Sequence, residues 1–157
     1  MELSDQVISF LEKQGYLIVS TMDLKGRIHC SAKGIVGIEK SGKVFVIDLY
    51  LRKTFENLKN DDRVSVTAVN EHDFVGYTLQ GRAKIVPRDQ IKDHIMEEWE
   101  NRIIQRMTKR VSRSVQTQAK SKGHFEAALP PHPQYLIEID VENIIDLVPP
   151  AMRHQKS

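Results

Sequence analysis

The segment Leu51-Arg52-Lys53-Thr54 has the residue types best suited to bind an anion. It contains two cations and a hydroxyl, and it stands where an apolar strand pattern gives way to a short helical pattern. The backbone N–H groups at the start of a helix attract phosphate. Solvated charges that precede a helix would have the same local pattern, so this segment alone leaves both interpretations open.

Ser31 and Lys33 can contribute side chains to the same candidate anion site. Residues two apart in a strand lie on the same face, so both would point in one direction. Both belong to a long strand pattern from Arg27 to Ile38. A barrel of this size can bring that face beside Lys53, and the combined cations and hydroxyls would hold a dianion. The sequence therefore predicts a candidate phosphate site built from two separate segments.

The elements that must position these residues are short strands joined by turns. A helix begins after Ser4, a candidate N-cap, and ends at Gly15. The strand patterns are Tyr16 to Met22, Arg27 to Ile38, Val44 to Ile47, Val64 to Val69, Phe74 to Val86 and Tyr135 to Leu147. A short helix, Thr54 to Asn60, separates the third and fourth strands. Such strands predict a closed or nearly closed β-barrel, which leaves few exposed sheet edges.

The region from about 88 to 120 departs from this pattern and predicts a helical insertion before the last strand. Its apolar residues recur at four-residue steps and are Ile91, Ile95, Trp99, Ile103, Met107, Val111 and Val115. Residues 121–134, rich in proline, predict a loop.

The segment from Arg102 to Lys122 is strongly basic. Its cations are Arg102, Arg106, Lys109, Arg110, Arg113, Lys120 and Lys122, with no acidic residue among them. They could form an anion-binding lid or recruit a phosphorylated or acidic substrate. A solvated face opposite the apolar stripe is the simpler interpretation. Nucleic acid is not expected as a partner, because no aromatic side chains alternate with the cations to stack bases.

The composition excludes several classes of protein. The 157 residues, 40% apolar and 28% charged, indicate one domain over 1–149 and a flexible tail over 150–157. Apolar runs are far shorter than the roughly 20 residues of a membrane span, and the single cysteine, Cys30, cannot form an internal disulfide. We therefore expect a cytoplasmic protein with no membrane partner. The six histidines are scattered, so no metal site is predicted.

A series of short motifs in residues 1–87 resembles a known family. The motifs are Gly-Tyr-Leu-Ile-Val-Ser-Thr, Ile-His-Cys-Ser-Ala-Lys, Val-Phe-Val-Ile-Asp, Arg-Lys-Thr-Phe-Glu-Asn-Leu, Asn-Asp-Asp-Arg-Val and Tyr-Thr-Leu-Gln-Gly-Arg-Ala. In their order and spacing they resemble the pyridoxamine 5′-phosphate oxidase-like FMN-binding split-barrel family. The resemblance implies a six-stranded antiparallel split β-barrel. It also implies a homodimer that holds FMN in two clefts at the subunit interface, each lined by both subunits.

The resemblance also implies which residues bind the cofactor. Those along the flavin and its phosphate would be Ser31, Ala32, Lys33, Arg52, Lys53 and Thr54. Main-chain groups of Val46, Ile47 and Asp48 would face the edge of the isoalloxazine ring. Gln80 and Gly81 would approach the ring from the fifth strand.

The resemblance implies a flavoprotein oxidoreductase that exchanges hydride or electrons with a small-molecule donor or acceptor. No catalytic residue is assigned. Two alternatives stay open: a flavin-binding or electron-transfer protein without a substrate, and the same barrel with a deazaflavin or haem. Oxidation of vitamin B6 is not expected, because the chain lacks the Arg-Leu-Xaa-Pro terminus of the true oxidase. His29 and Cys30 could touch a substrate, although polar residues on a half-exposed strand are common.

Overall fold

The computed structural model describes residues 1–116 and 132–153. The strands are β1 (Leu17–Met22), β2 (Ile28–Ile38), β3 (Lys43–Asp48), β4 (Arg63–Asn70), β5 (Val75–Pro87) and β6 (Tyr135–Asp146). The helices are α1 (Asp5–Glu12), α2 (Lys53–Asn60), α3 (Asp93–Gln116) and α4 (Pro150–Arg153), and a 3-10 turn spans Arg88–Gln90.

The six strands form a closed barrel in the order β1-β2-β3-β6-β5-β4, and all neighbours are antiparallel. The predicted mainly β fold, a six-stranded antiparallel split β-barrel, is confirmed. Every strand boundary lies within one residue of the predicted one. Turn chemistry explains part of this agreement: the Asp23 carboxylate accepts from the backbone N–H groups of Lys25 and Arg27, both at 2.9 Å, and Gly26 takes a φ of +75°.

The helical insertion begins later than its apolar pattern suggested. Ile91, the first residue of the predicted helical stripe, has an extended backbone and follows the Arg88–Gln90 turn, so α3 starts at Asp93. Residues 117–131, with most of the predicted loop, lie outside the described part of the chain. In the predicted tail, residues 150–153 form α4, where Arg153 donates to the carbonyl oxygens of Val148 and Asp146 at 3.1 and 3.0 Å.

Two apolar clusters hold the fold together. The first fills the barrel with buried side chains such as Val19, Val46, Leu79 and Ile137, and α1 closes it through Val7 and Leu11. Ser4 caps α1 as predicted, accepting from the Val7 N–H at 3.3 Å. The second cluster lies outside the barrel and consists of Val36, Ile47, Ile91, Ile95 and Leu136. It packs α3 against the outer surface of β2 and β3.

A bulge between β5 and β6 requires glycine at position 81. The pairing register shifts between Gln80 and Gly81. A Cβ atom on Gly81 would collide with the carbonyl oxygen of Asp140. The β6 backbone therefore passes so close to position 81 that only glycine fits there.

Candidate functional site

The start of α2 lies against β2, as the predicted phosphate site requires. The Ser31 hydroxyl on β2 is 3.0 Å from the Thr54 hydroxyl in the first turn of α2. Thr54 is buried and Ser31 is half-buried. Two hydroxyls from segments 23 residues apart thus meet at a helix N-terminus.

Two cations flank this pair of hydroxyls in the sequence. Arg52 is the N-cap residue of α2 and forms no side-chain cap within the described part of the chain. Its guanidinium lies 5.1 Å from the centre of the Tyr50 ring, and both side chains are exposed. Lys53 is exposed and borders a shallow cleft that also contains Lys25 and Arg27 from the β1–β2 turn. Asp23 and Glu56 line the same cleft, and Asp23 pairs with Arg27 at 2.9 Å. Cations and carboxylates are therefore mixed on this surface.

Lys33 forms an ion pair that the sequence did not predict. Its Nζ lies 2.6 Å from Oδ2 of Asp48, and the two side chains are only 12% and 3% exposed. The pairing of Gly34 with Ile47 places Lys33 next to Asp48 across β2 and β3. Lys33 thus forms a buried ion pair, which neutralises most of the charge it was predicted to offer a phosphate.

Asp48 is the centre of a buried polar cluster. The Tyr135 hydroxyl donates to Oδ2 at 2.6 Å, and the Tyr50 backbone N–H donates to Oδ1 at 3.2 Å. Burial, followed by this hydrogen bond to Asp48, raises the pKa of Tyr135 far above its usual range, so Tyr135 stays protonated as a donor. Sequence reasoning gave Asp48 only a main-chain role. The available sequence signal was a carboxylate directly after an apolar strand, whereas its pairing with Lys33 depends on the register between β2 and β3.

The other predicted ring contacts lie on several different surfaces of a single chain. Val46 faces the barrel interior and Ile47 faces α3, and β3 pairs with β2 on one side and β6 on the other. Ala32 is exposed on β2. Gln80 and Gly81 lie on β5, which β1 and β4 separate from β2. The Gln80 side chain accepts from Asn143 Nδ2 at 2.9 Å.

Three basic residues of α3 lie next to its apolar stripe. Arg102, Arg106 and Arg110 border a cavity together with residues of the apolar stripe. Arg106 and Arg110 are exposed and Arg102 is half-buried, so these cations lie beside the stripe and still belong to a largely solvated face. Lys109 and Arg113 are exposed, whereas Lys120 and Lys122 lie outside the described residues.

Other candidate chemistry finds little geometric support. Across residues 1–116 and 132–153, no three histidine, cysteine, aspartate or glutamate side chains are grouped so that they could hold a metal ion. Exposed Cys30 lies 3.3 Å from the Ser20 hydroxyl. In the same described ranges, no helix has both the length and the apolar content of a membrane span.

A family model described as pyridoxamine 5′-phosphate oxidase matches residues 3–145 of the chain. The chain belongs to this family. No curated protein matches the sequence significantly.

Solved structures share the fold of this pyridoxamine 5′-phosphate oxidase family member. HupZ of Group A Streptococcus is 16% identical with a TM-score of 0.61, covering 93% of this chain and 95% of its own. An F420 reductase is 12% identical with a TM-score of 0.57, covering 91% and 98%. The heme storage protein HutZ of Vibrio cholerae is 18% identical with a TM-score of 0.54, covering 92% and 94%. At such identities the likeness concerns the fold.

Proposed function

We propose that this member of the pyridoxamine 5′-phosphate oxidase family binds FMN and acts as an oxidoreductase on a small-molecule donor or acceptor. The observation that carries the proposal is the contact between the Ser31 and Thr54 hydroxyls at the start of α2. The flavin alone supplies the redox chemistry, by exchanging hydride or electrons with the substrate.

The residues at this junction suit a phosphate monoester. A phosphate dianion accepts several hydrogen bonds at once, and bonds from charged donors are about twice as strong as neutral ones. Thr54 and Ser31 offer hydroxyls, Arg52 and Lys53 offer charged donors, and the first turn of α2 offers backbone N–H groups. The planar guanidinium of Arg52 can donate two parallel hydrogen bonds to two oxygens of one phosphate.

The buried ion pair beside this junction has a positioning role. Lys33 and Ser31 lie on the same strand, and Asp48 precedes the segment that leads to Arg52. By tying β2 to the end of β3, the pair fixes the distance between the two parts of the phosphate site. Because Asp48 neutralises its charge, Lys33 would support cofactor binding by holding the two parts of the phosphate site in place.

We also propose a homodimer in which two copies line each flavin site. In one chain Gln80 and Gly81 are separated from β2 by two strands, so a ring held near Ser31 would need Gln80 of a second copy. The outer surface of β1, β2 and β4 exposes Ile18 (37%), Ile28 (74%) and Val69 (63%). A second copy packed against this surface would remove these apolar side chains from water.

A second candidate function keeps the barrel and changes the cofactor. The similar structures include an F420 reductase and a heme storage protein. A deazaflavin or a haem would then replace FMN. The start of α2 would in that case no longer bind the terminal phosphate of FMN, or would bind a different group.

Replacing Arg52 or Lys53 with alanine tests the phosphate site. Each change removes a charged donor worth about 1.5–3 kcal/mol, so FMN should bind roughly 10–100 times more weakly. Riboflavin, which has the same ring without the phosphate, should be affected much less. The measurement is quenching of flavin fluorescence on titration with protein.

Lys59→Ala is the matched control, because Lys59 is an exposed cation at the other end of α2. It should leave FMN binding within about twofold of the unmodified protein, since surface charges of this kind contribute little. Equal losses for Lys59→Ala and Lys53→Ala would contradict the site, as would unchanged affinity in both Arg52→Ala and Lys53→Ala.

A further inference from the structure

A cavity of about 170 Å³ lies between α3 and the outer surface of β2 and β3. Val36, Ile47 and Leu49 form its apolar floor, and Trp99, Ile103 and Met107 of α3 cover it. None of its lining residues is Ser31, Arg52, Lys53 or Thr54, so this cavity is separate from the phosphate site, although Ile47, whose main chain was predicted to face the flavin ring, lines it.

One wall of the cavity carries positive charge that the protein does not fully compensate. Arg102, Arg106 and Arg110 follow one another at four-residue steps, where like charges on a helix repel. Arg102 pairs with Glu98 at 2.6 Å. Within residues 1–116 and 132–153, no carboxylate forms a salt bridge with Arg106 or Arg110.

Arg106 shows the electrostatic cost of this arrangement. Its guanidinium donates to the carbonyl oxygen of Gly15, which holds the side chain against the barrel. Burial, and then the neighbouring charges of Arg102 and Arg110, lower the pKa of Arg106. An anion in the cavity would relieve this repulsion. The apolar floor and cover would at the same time exclude water from the body of such a ligand.

We propose that this cavity binds a small organic carboxylate whose apolar body is about the size of one aromatic ring. A cavity of roughly 150 Å³ in another protein holds benzene, whereas drug-sized ligands occupy about 300–1,000 Å³. At about 170 Å³ the cavity could enclose a single ring, whereas a flavin or a haem would extend well beyond it. A guanidinium pairs with a carboxylate through two parallel hydrogen bonds, and Arg110 lies at the wall where that group would sit.

The experiment is a titration of the full-length protein with benzoate, followed through the fluorescence of Trp99. Trp99 is the single tryptophan of the sequence and lines the cavity, so the signal reports on this site. We expect a saturable change with benzoate. Benzyl alcohol, the same ring without the charge, should bind at least about tenfold more weakly, because it loses the charged hydrogen bonds. Equal affinities for the two compounds, or no saturable change with benzoate, would overturn the proposal.

Two variants locate the charge that matters. Arg110→Gln should weaken benzoate binding at least about tenfold. Arg110→Lys keeps the charge but loses the paired N–H donors of the guanidinium, so its affinity for benzoate should lie between those of Arg110→Gln and the unmodified protein. Lys109→Gln is the control: Lys109 is the preceding residue, exposed and outside the cavity lining, and its loss should leave benzoate binding unchanged. A loss in Lys109→Gln as large as in Arg110→Gln would show only general attraction to a basic helix and would overturn the proposal. Unchanged binding in Arg110→Gln would also overturn it.

Discussion

Replacing Lys33 with methionine should lower the free energy of unfolding by about 3–5 kcal/mol, because it leaves a buried carboxylate without its partner. Asp48 is 3% exposed and would keep only the hydrogen bonds from Tyr135 and from the Tyr50 backbone. Urea unfolding followed by circular dichroism measures the change.

Lys43→Met is the matched control for this prediction. Lys43 contacts Glu138 at 2.6 Å and Asp140 at 2.8 Å, but its side chain is 35% exposed. Exposed ion pairs contribute about 0.2–1 kcal/mol, so this variant should lose far less stability. The double variant Lys33→Met/Asp48→Asn should recover much of the loss, since the amide carries no charge. Equal losses in the two lysine variants would show that the Lys33–Asp48 pair is not an important buried contact.

Gly81→Ala should lower the free energy of unfolding by about 3 kcal/mol, at the upper end of the usual cost of overpacking. The new methyl group would collide with the carbonyl oxygen of Asp140, a backbone atom that cannot rotate away. Relief requires a shift of β6 relative to β5 at the bulge. Thermal unfolding should show the loss.

Gly34→Ala tests whether this effect is specific to the bulge. A Cβ on Gly34 would meet only the Arg106 guanidinium, at 3.9 Å, which is ordinary van der Waals contact. Because alanine is also less flexible in the unfolded chain, this variant should be neutral or stabilised by up to about 1 kcal/mol. A Gly81→Ala protein as stable as Gly34→Ala would mean that β6 does not approach β5 this closely.

The strands could be predicted from the sequence because their signals are local. Alternating apolar residues and the Asp23-to-Gly26 turn determine where β1 and β2 begin and end, and no distant contact is needed to recognise them. The meeting of β2 with the start of α2 was also predictable, because strand alternation and helix-start chemistry pointed to the same two segments.

The Lys33–Asp48 pair and the placement of Arg102, Arg106 and Arg110 at the cavity could not be predicted from local signals. Which lysine faces which carboxylate depends on the register between β2 and β3, and a shift of one residue would have moved Lys33 to the other face. The rotation of α3 depends on how Ile91 and Ile95 pack against Val36 and Ile47, and this contact brings the arginines over the sheet. Both features arise from tertiary packing.

We propose that this family member binds FMN through its phosphate at the start of α2. The most direct measurement is the visible absorption spectrum of the full-length protein after incubation with excess FMN and desalting, with parallel samples given riboflavin or haem. We predict that the FMN sample keeps the absorption bands of oxidised flavin and that the riboflavin sample loses most of its colour on desalting. A protein that stays colourless with FMN, or that keeps haem in its place, would contradict the account.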